Sequence, residues 1–103
     1  MTMTVADRPE QSRYEIEVDG EPVGFAQYRM HDGVAAFVHT EVASGFEGQG
    51  VASTLIGEAL DDVRSRGLAV QPFCPFVREY IARHAEYRDL VRAADRSRFD
   101  LDS

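Results

Sequence analysis

Between Val42 and Val51 the chain changes its hydrophobic period, and that change sets the layout on either side. Upstream, apolar residues recur at every second position. Downstream, Val51, Leu55, Ile56, Ala59, Leu60 and Val63 fall on one helical face. The connecting stretch, Ala43-Ser44-Gly45-Phe46-Glu47-Gly48-Gln49-Gly50, is rich in glycine. A strand end, a glycine-bearing turn and a helix start therefore follow one another. Such a junction presents free backbone N–H groups at the positive end of a helix dipole. It suits the phosphates of a nucleotide-like cofactor.

The upstream half reads as a meander. Tyr14, Ile16 and Val18 alternate with Arg13, Glu15 and Glu17. Asp19-Gly20-Glu21-Pro22 is a turn, Val23 to His31 a second strand, and Asp32-Gly33 a two-residue hairpin signal. Val34 to Val42 is a third strand. After the helix, Gly67 is a plausible C-cap and Leu68 to Phe73 a fourth strand. Pro75 opens a second helix that breaks near His84, and Glu86 to Ala94 is helical in character. The expected fold is α/β with the order β-β-β-α-β-α. A three-strand antiparallel meander is followed by a fourth strand parallel to the third through a right-handed crossover, with helices packed on the sheet.

A chain of 103 residues supports one domain with one core. The expected division is a flexible N-terminus at 1–11, a single domain at 12–94 and a flexible C-terminal tail at 95–103. No apolar run is long enough to span a bilayer, and the first residues lack the apolar core of a signal peptide. The single cysteine, Cys74, forbids an internal disulfide and fits a reducing cytoplasm. A net charge of −7 argues against nucleic acid as a partner. The expected assembly is a monomer or weak homodimer. His31 and His84 have no partners at metal spacing, so no metal site is expected.

Three phosphate loops start from residues like these. A P-loop needs Gly-Lys-Ser/Thr, and the chain has no lysine at all. A dinucleotide fingerprint needs a third glycine, where Ser53 stands, and should follow the first strand of a βαβ unit rather than close a meander. The segment Gly48-Gln49-Gly50-Val51-Ala52-Ser53-x-Leu55-Ile56 resembles the pyrophosphate-binding loop of the GNAT-type N-acetyltransferase superfamily, Arg/Gln-x-x-Gly-x-Gly/Ala. His39-Thr40-Glu41-Val42, Pro72-x-Cys74-Pro75-Phe76-Val77 and Tyr80-Ile81-x-Arg83-His84-x-Glu86-Tyr87 extend the likeness to its small single-domain subfamily, over roughly residues 14–92. The resemblance implies acetyl-CoA as co-substrate. Its pyrophosphate would be held at Gly48, Gln49, Gly50, Val51, Ala52 and Ser53, with Val42 beside the pantetheine arm. One residue departs from the pattern: Glu47 is an acid where arginine or glutamine is usual.

Acetyl transfer to an amine requires a base for the ammonium and a proton for the departing thiolate. His39 and Glu41 are two apart on a strand, so both project from one face, together with Phe37, while Val38, Thr40 and Val42 share the other. The pair reads either as a base whose carboxylate supports it or as a polar pair on an exposed sheet face. Cys74, just before Pro75, should sit at the N-terminus of the second helix, where a thiol can be reactive; a buried cysteine acting as a small hydrophobe is the other reading. The resemblance implies a catalytic role for this cysteine, as acid or acyl acceptor. Tyr80 and Tyr87 are weaker candidates for protonating the sulfur. Arg78, Arg83 and Arg88 could reach the adenosine 3′-phosphate or form a solvated helix face. The function implied is an acetyl-CoA-dependent N-acetyltransferase acting on a small or protein-borne amine. Glu47 and the lack of material for acceptor walls favour the alternative, a CoA-binding or protein-interaction module without transfer activity.

Overall fold

The computed structural model describes residues 1–101. Its single sheet has five strands in sequential order: β1 Met3–Arg8, β2 Arg13–Val18, β3 Glu21–His31, β4 Val34–Val42 and β5 Ala69–Pro72. The first four form an antiparallel meander, and β5 lies parallel to β4 after the crossover through α1, Val51–Ser65. The expected α/β layout with a parallel fourth-to-third strand pair is present. Both short turns carry positive φ at Asp and Gly, at Asp19-Gly20 and Asp32-Gly33, as a tight hairpin between twisted strands requires.

The meander has one strand more than expected. Residues 3–8 are not frayed; they pair along β2 from Met3↔Val18 to Arg8↔Arg13. The reason lies in a polar network beneath them. The Asp7 side chain is 8% exposed and lies 3.1 Å from Arg66, while its other oxygen accepts a hydrogen bond from the Tyr28 hydroxyl at 2.6 Å. Arg66 also pairs with Asp62, which accepts from the Tyr14 hydroxyl at 2.6 Å. This carboxylate–phenol–guanidinium set binds β1 to β2, β3 and the end of α1.

The main core forms where α1 covers the sheet. Val51, Leu55, Ile56, Ala59, Leu60 and Val63 are all buried, the face the 3.6-residue period marks out. They meet Tyr14, Ile16, Ala26, Tyr28 and Phe37 from the strands. A bulge in β4 shifts the register at Val38, because Gln27 pairs with His39 but Tyr28 with Phe37.

Downstream, α2 spans Pro75–Arg83 and ends before His84 as expected. The stretch expected to be helical from Glu86 to Ala94 is instead a 3-10 turn at Ala85–Leu90, an extended Val91, and a short α3 at Ala93–Arg96. The tail expected from residue 95 is folded as far as it is described. Phe99 and Leu101 are buried, and Phe99 meets Phe73 edge-on at 5.1 Å. Residues 102–103 of that tail lie outside the described residues.

The network predicts an alkaline limit. Burial first, then the hydrogen bond to Asp62, raises the Tyr14 phenol well above its ordinary 10.0. Burial and the bond to Asp7 do the same for Tyr28. In the unfolded chain both ionise near their ordinary values, while the folded protein keeps them protonated. Their contribution is complete below about pH 10 and is lost as pH rises beyond it. The unfolding free energy from urea titration should therefore hold up to about pH 10, then fall by up to ~1.4 kcal/mol per pH unit for each tyrosine. Tyr14→Phe should flatten that fall; an unchanged alkaline slope in this variant would mean the phenol is not protected.

Candidate functional site

Strands β4 and β5 run together only from Val34↔Ala69 to Phe37↔Pro72. One further bond, from the Cys74 amide to the Phe37 carbonyl at 2.8 Å, closes the ladder. Beyond it β5 turns away into α2, because Pro75 at the first helical position pre-sets the helix and Cys74 is extended at φ −67°, ψ 125°. The edge of β4 from Val38 to Val42 is left without a strand partner on that side. The gap between the diverging strands opens towards the N-terminus of α1.

That N-terminus is built by the glycine turn. Gly48 and Gly50 have φ of +79° and +77°, a left-handed conformation that side chains with a Cβ adopt at a cost. Gly50 is the residue before the helix; among the described residues no side chain caps it, and no acid stands in the first turn. The first amides of α1 therefore point outward without an internal acceptor. They border a cavity of about 460 Å³ lined by Thr40, Val42, Phe46, Glu47, Gly48, Gly50, Val51, Ala52, Ser53 and Phe76.

The expected cofactor-binding residues thus converge, with one difference. Val42, Gly48, Gly50, Val51, Ala52 and Ser53 line the cavity, whereas the Gln49 side chain donates to the Gly45 carbonyl at 3.0 Å and braces the turn. Glu47 also braces it: its carboxylate accepts from the Gly45 amide at 3.0 Å. The acid is therefore held by the loop itself, although it remains in the cavity wall. Thr40, Phe46 and Phe76 complete the walls and were not singled out from the sequence. Thr40 could have been found from its alternation with Val42; Phe46 lies in the glycine-bearing stretch and Phe76 in the segment after Cys74-Pro75, but neither segment marks the phenylalanine itself as a wall.

The expected catalytic residues do not form one cluster. His39 and Glu41 share a face, and their side chains meet at 3.0 Å, both about half exposed. Phe37 is not on that face, contrary to expectation. The bulge at Val38 inserts a residue, so Phe37, Thr40 and Val42 all face α1, opposite Tyr28, Ala26 and Gly24. His39 and Glu41 face away from α1, beside Phe25, whose ring centroid lies 6.0 Å from that of His39. Cys74 stands at the N-cap of α2, where expected, but is only 4% exposed. Its Sγ shares a hydrogen bond with Thr40 Oγ1 at 3.4 Å, so it sits directly behind a cavity wall. Tyr80 stacks on His84 at 3.9 Å, and Tyr87 donates to Asp61. Among the described residues, no group of three or more His, Cys, Asp or Glu is arranged to hold a metal, and no helix is long and apolar enough to cross a membrane.

Chemically, the site offers an anion seat of backbone amides at one end and a free strand edge leading from it. A thiol and a hydroxyl lie at the strand fork, and a histidine–carboxylate pair stands on the far face of the sheet.

A family model described as GCN5-related N-acetyl-transferase matches residues 13–90. Among solved structures, a GCN5-like protein from Staphylococcus aureus is similar over 86% of this chain and 87% of its own, with 20% identity and a TM-score of 0.66. The ribosomal-protein-S18-alanine N-acetyltransferase from Escherichia coli is similar over 56% of this chain and 38% of its own, at 20% identity and a TM-score of 0.53. Ard1 from Thermoplasma volcanium is similar over 59% of this chain and 43% of its own, at 25% identity and a TM-score of 0.52. The chain thus spans less than half the length of these last two. No curated protein matches it in sequence.

Proposed function

The chain belongs to the GCN5-related N-acetyltransferase family, and from that premise we propose that it transfers an acetyl group from acetyl-CoA to an amine, small or protein-borne. The observation that carries this reading is the coincidence of two features at the strand fork. The uncapped N-terminus of α1 behind two left-handed glycines and the unpaired edge of β4 border one cavity. The amides of Gly48–Ser53 would hold the pyrophosphate. The edge at Val38–Val42 would pair with the amides of the pantetheine arm, leading the thioester to the fork beside Thr40 and Cys74.

The amine would approach from the opposite sheet face. His39, supported by Glu41 at 3.0 Å, would take the proton of the ammonium. The free amine then attacks the thioester carbonyl, the carbon–sulfur bond breaks, and the thiolate takes a proton. Cys74 is the nearest side-chain thiol for that last step or for a transient acyl transfer. Its burial favours the first role, since an acyl group on Sγ would need the room that Thr40 now fills. The reaction would run in the cytoplasm, without a metal, in a monomer or weak homodimer.

The test is binding and turnover on the whole chain. Acetyl-CoA should raise the melting temperature, while NAD and ATP leave it unchanged; no shift with any CoA species would end the proposal. Thiol release in the presence of an amine panel separates an enzyme from the alternative, a CoA-binding module. Because the chain has no lysine, an acetyl adduct on the intact protein can sit on few groups beyond Cys74 and the α-amine. An adduct that disappears in Cys74→Ala would establish the acyl relay. Normal turnover by Cys74→Ala would reduce the cysteine to packing.

A further inference from the structure

Three polar side chains stand in the wall of the cavity: Thr40, Glu47 and Ser53. Glu47 belongs to the glycine turn and Ser53 to the first turn of α1, so Thr40 alone stands on β4, beside the strand fork. We propose that Thr40 relays a proton from Cys74 to the sulfur that leaves during acetyl transfer. This rests on the acetyl-CoA reading of the cavity.

Each of the two side chains lacks what the other has. A thiol gives up its proton far more readily than an alcohol. The Cys74 thiol, however, is only 4% exposed and is not part of the cavity wall. Thr40 reaches the cavity, but its hydroxyl alone is too weak an acid to protonate a thiolate. Thr40 Oγ1 and Cys74 Sγ lie 3.4 Å apart, within reach of a sulfur hydrogen bond. A hydroxyl accepts and donates at once, so Thr40 can accept from Sγ and donate into the cavity. Backbone bonds fix the contact. Thr40 is paired with Ala26 of β3, and the Cys74 amide donates to the Phe37 carbonyl of β4 at 2.8 Å.

The two tyrosines do not compete for this step. Tyr87 donates its hydroxyl to Asp61 at 2.8 Å. The Tyr80 hydroxyl is packed against α1, 2.8 Å from where a Cβ on Gly57 would stand, and Tyr80 does not line the cavity. The proton count closes. As the carbon–sulfur bond breaks, its electron pair stays on sulfur. Thr40 Oγ1 gives its proton to that sulfur and takes the proton of Cys74. Threonine is unchanged, and the negative charge ends on Cys74 Sγ. That atom stands at the N-cap of α2, whose first amides have no intrahelical acceptor. The ammonium loses two protons in becoming an amide. One offsets the proton that Cys74 regains from water after the product leaves, and the other is released.

The experiment follows acetohydroxamate formation by the full chain from acetyl-CoA and hydroxylamine, an acceptor uncharged near neutral pH that needs no base beforehand. Circular dichroism checks the fold of each variant. Thr40→Val should lower kcat about a hundredfold, the low end for a positioned acid because a thiolate leaves readily. KM for acetyl-CoA should stay within about twofold, since valine fills the same space, and Thr40→Ser should retain most of kcat. Cys74→Ala should lose as much as Thr40→Val, and the double variant no more than either. A second readout needs no ligand. Iodoacetamide should alkylate Cys74, the only cysteine, about tenfold more slowly in Thr40→Val at mildly alkaline pH, because the thiolate loses its donor. Thr40→Ser should react like the wild type. Wild-type kcat or wild-type alkylation in Thr40→Val, or losses that multiply in the double variant, would overturn the relay while leaving the acetyltransferase reading intact. No product from the wild type with hydroxylamine or any amine of the panel would overturn both.

Discussion

Gly50→Val should lose acetyl-CoA binding by on the order of a hundredfold while keeping its helix content. The reason is backbone conformation rather than bulk. A side chain at Gly50 would meet nothing within 4 Å, so there is room for one. The backbone at φ +77° is the obstacle, since a β-branched residue held there costs roughly 1–3 kcal/mol. The turn would relieve that cost by rotating, because its glycines are exposed and the side-chain bonds that brace it, from Glu47 and Gln49, both close on Gly45 rather than on Gly50. Rotation swings the first amides of α1 away from the cavity. Losing two amide bonds to a charged group, at about 1.5 kcal/mol each, gives the hundredfold figure. Gly50→Ala should fall between valine and wild type. Isothermal titration, with circular dichroism to check the fold, measures both. Wild-type affinity in Gly50→Val would show that the pyrophosphate is not seated on these amides.

The same glycines explain why this part of the site was legible from sequence. Two left-handed positions and an amphipathic run are local properties, and all six residues assigned to the buried helical face are buried. The hairpins were legible for the same reason, at Asp19-Gly20 and Asp32-Gly33. What escaped was relational. The bulge at Val38 exists only with respect to β3, and a strand read alone cannot show that a partner skips a residue. Alternation therefore put Phe37 with His39 and Glu41, when the fold puts it with Thr40 and Val42. A smaller pocket of about 140 Å³ between Ser53, Phe76 and Arg83 escaped likewise: Arg83 and the rings of Tyr80 and His84 sit on α2 and just after it, yet their relation to Ser53 depends on how α2 leaves the β4–β5 fork.

The ends of the chain were misread for a further physical reason, and it makes the second large effect. In Met3-Thr4-Val5-Ala6-Asp7-Arg8 the inward positions are Met3, Val5 and Asp7, opposite Val18, Ile16 and Tyr14. A carboxylate at an inward position reads as a solvated one until its partners are known, and they lie on β3 and just beyond α1. At the other end, Phe99 and Leu101 stand singly among charged residues, so no period marks them; only Phe73 and the core give them a place.

Deletion of residues 1–8 should accordingly be severe. It removes the whole β1–β2 ladder, takes away the packing of the partly buried Met3 and Val5 on the core, and takes Asp7 from the network. The Tyr28 hydroxyl, in a residue 3% exposed, loses its acceptor, and Arg66 loses one of two carboxylates. An unsatisfied buried hydroxyl costs about 1–3 kcal/mol, and the partly buried Met and Val together contribute about 2 kcal/mol more. A loss of roughly 3–5 kcal/mol is a large share of the ~5–15 kcal/mol that holds a domain of this size. The truncated chain should unfold at much lower urea and bind 1-anilinonaphthalene-8-sulfonate through its uncovered apolar face. Asp7→Asn separates the causes, because it keeps the strand and an acceptor for Tyr28 while removing the charge opposite Arg66. It should cost about 1 kcal/mol or less if the ladder and burial dominate, and nearly as much as the deletion if the network does. A truncated chain with wild-type stability would restore the frayed N-terminus that the sequence suggested.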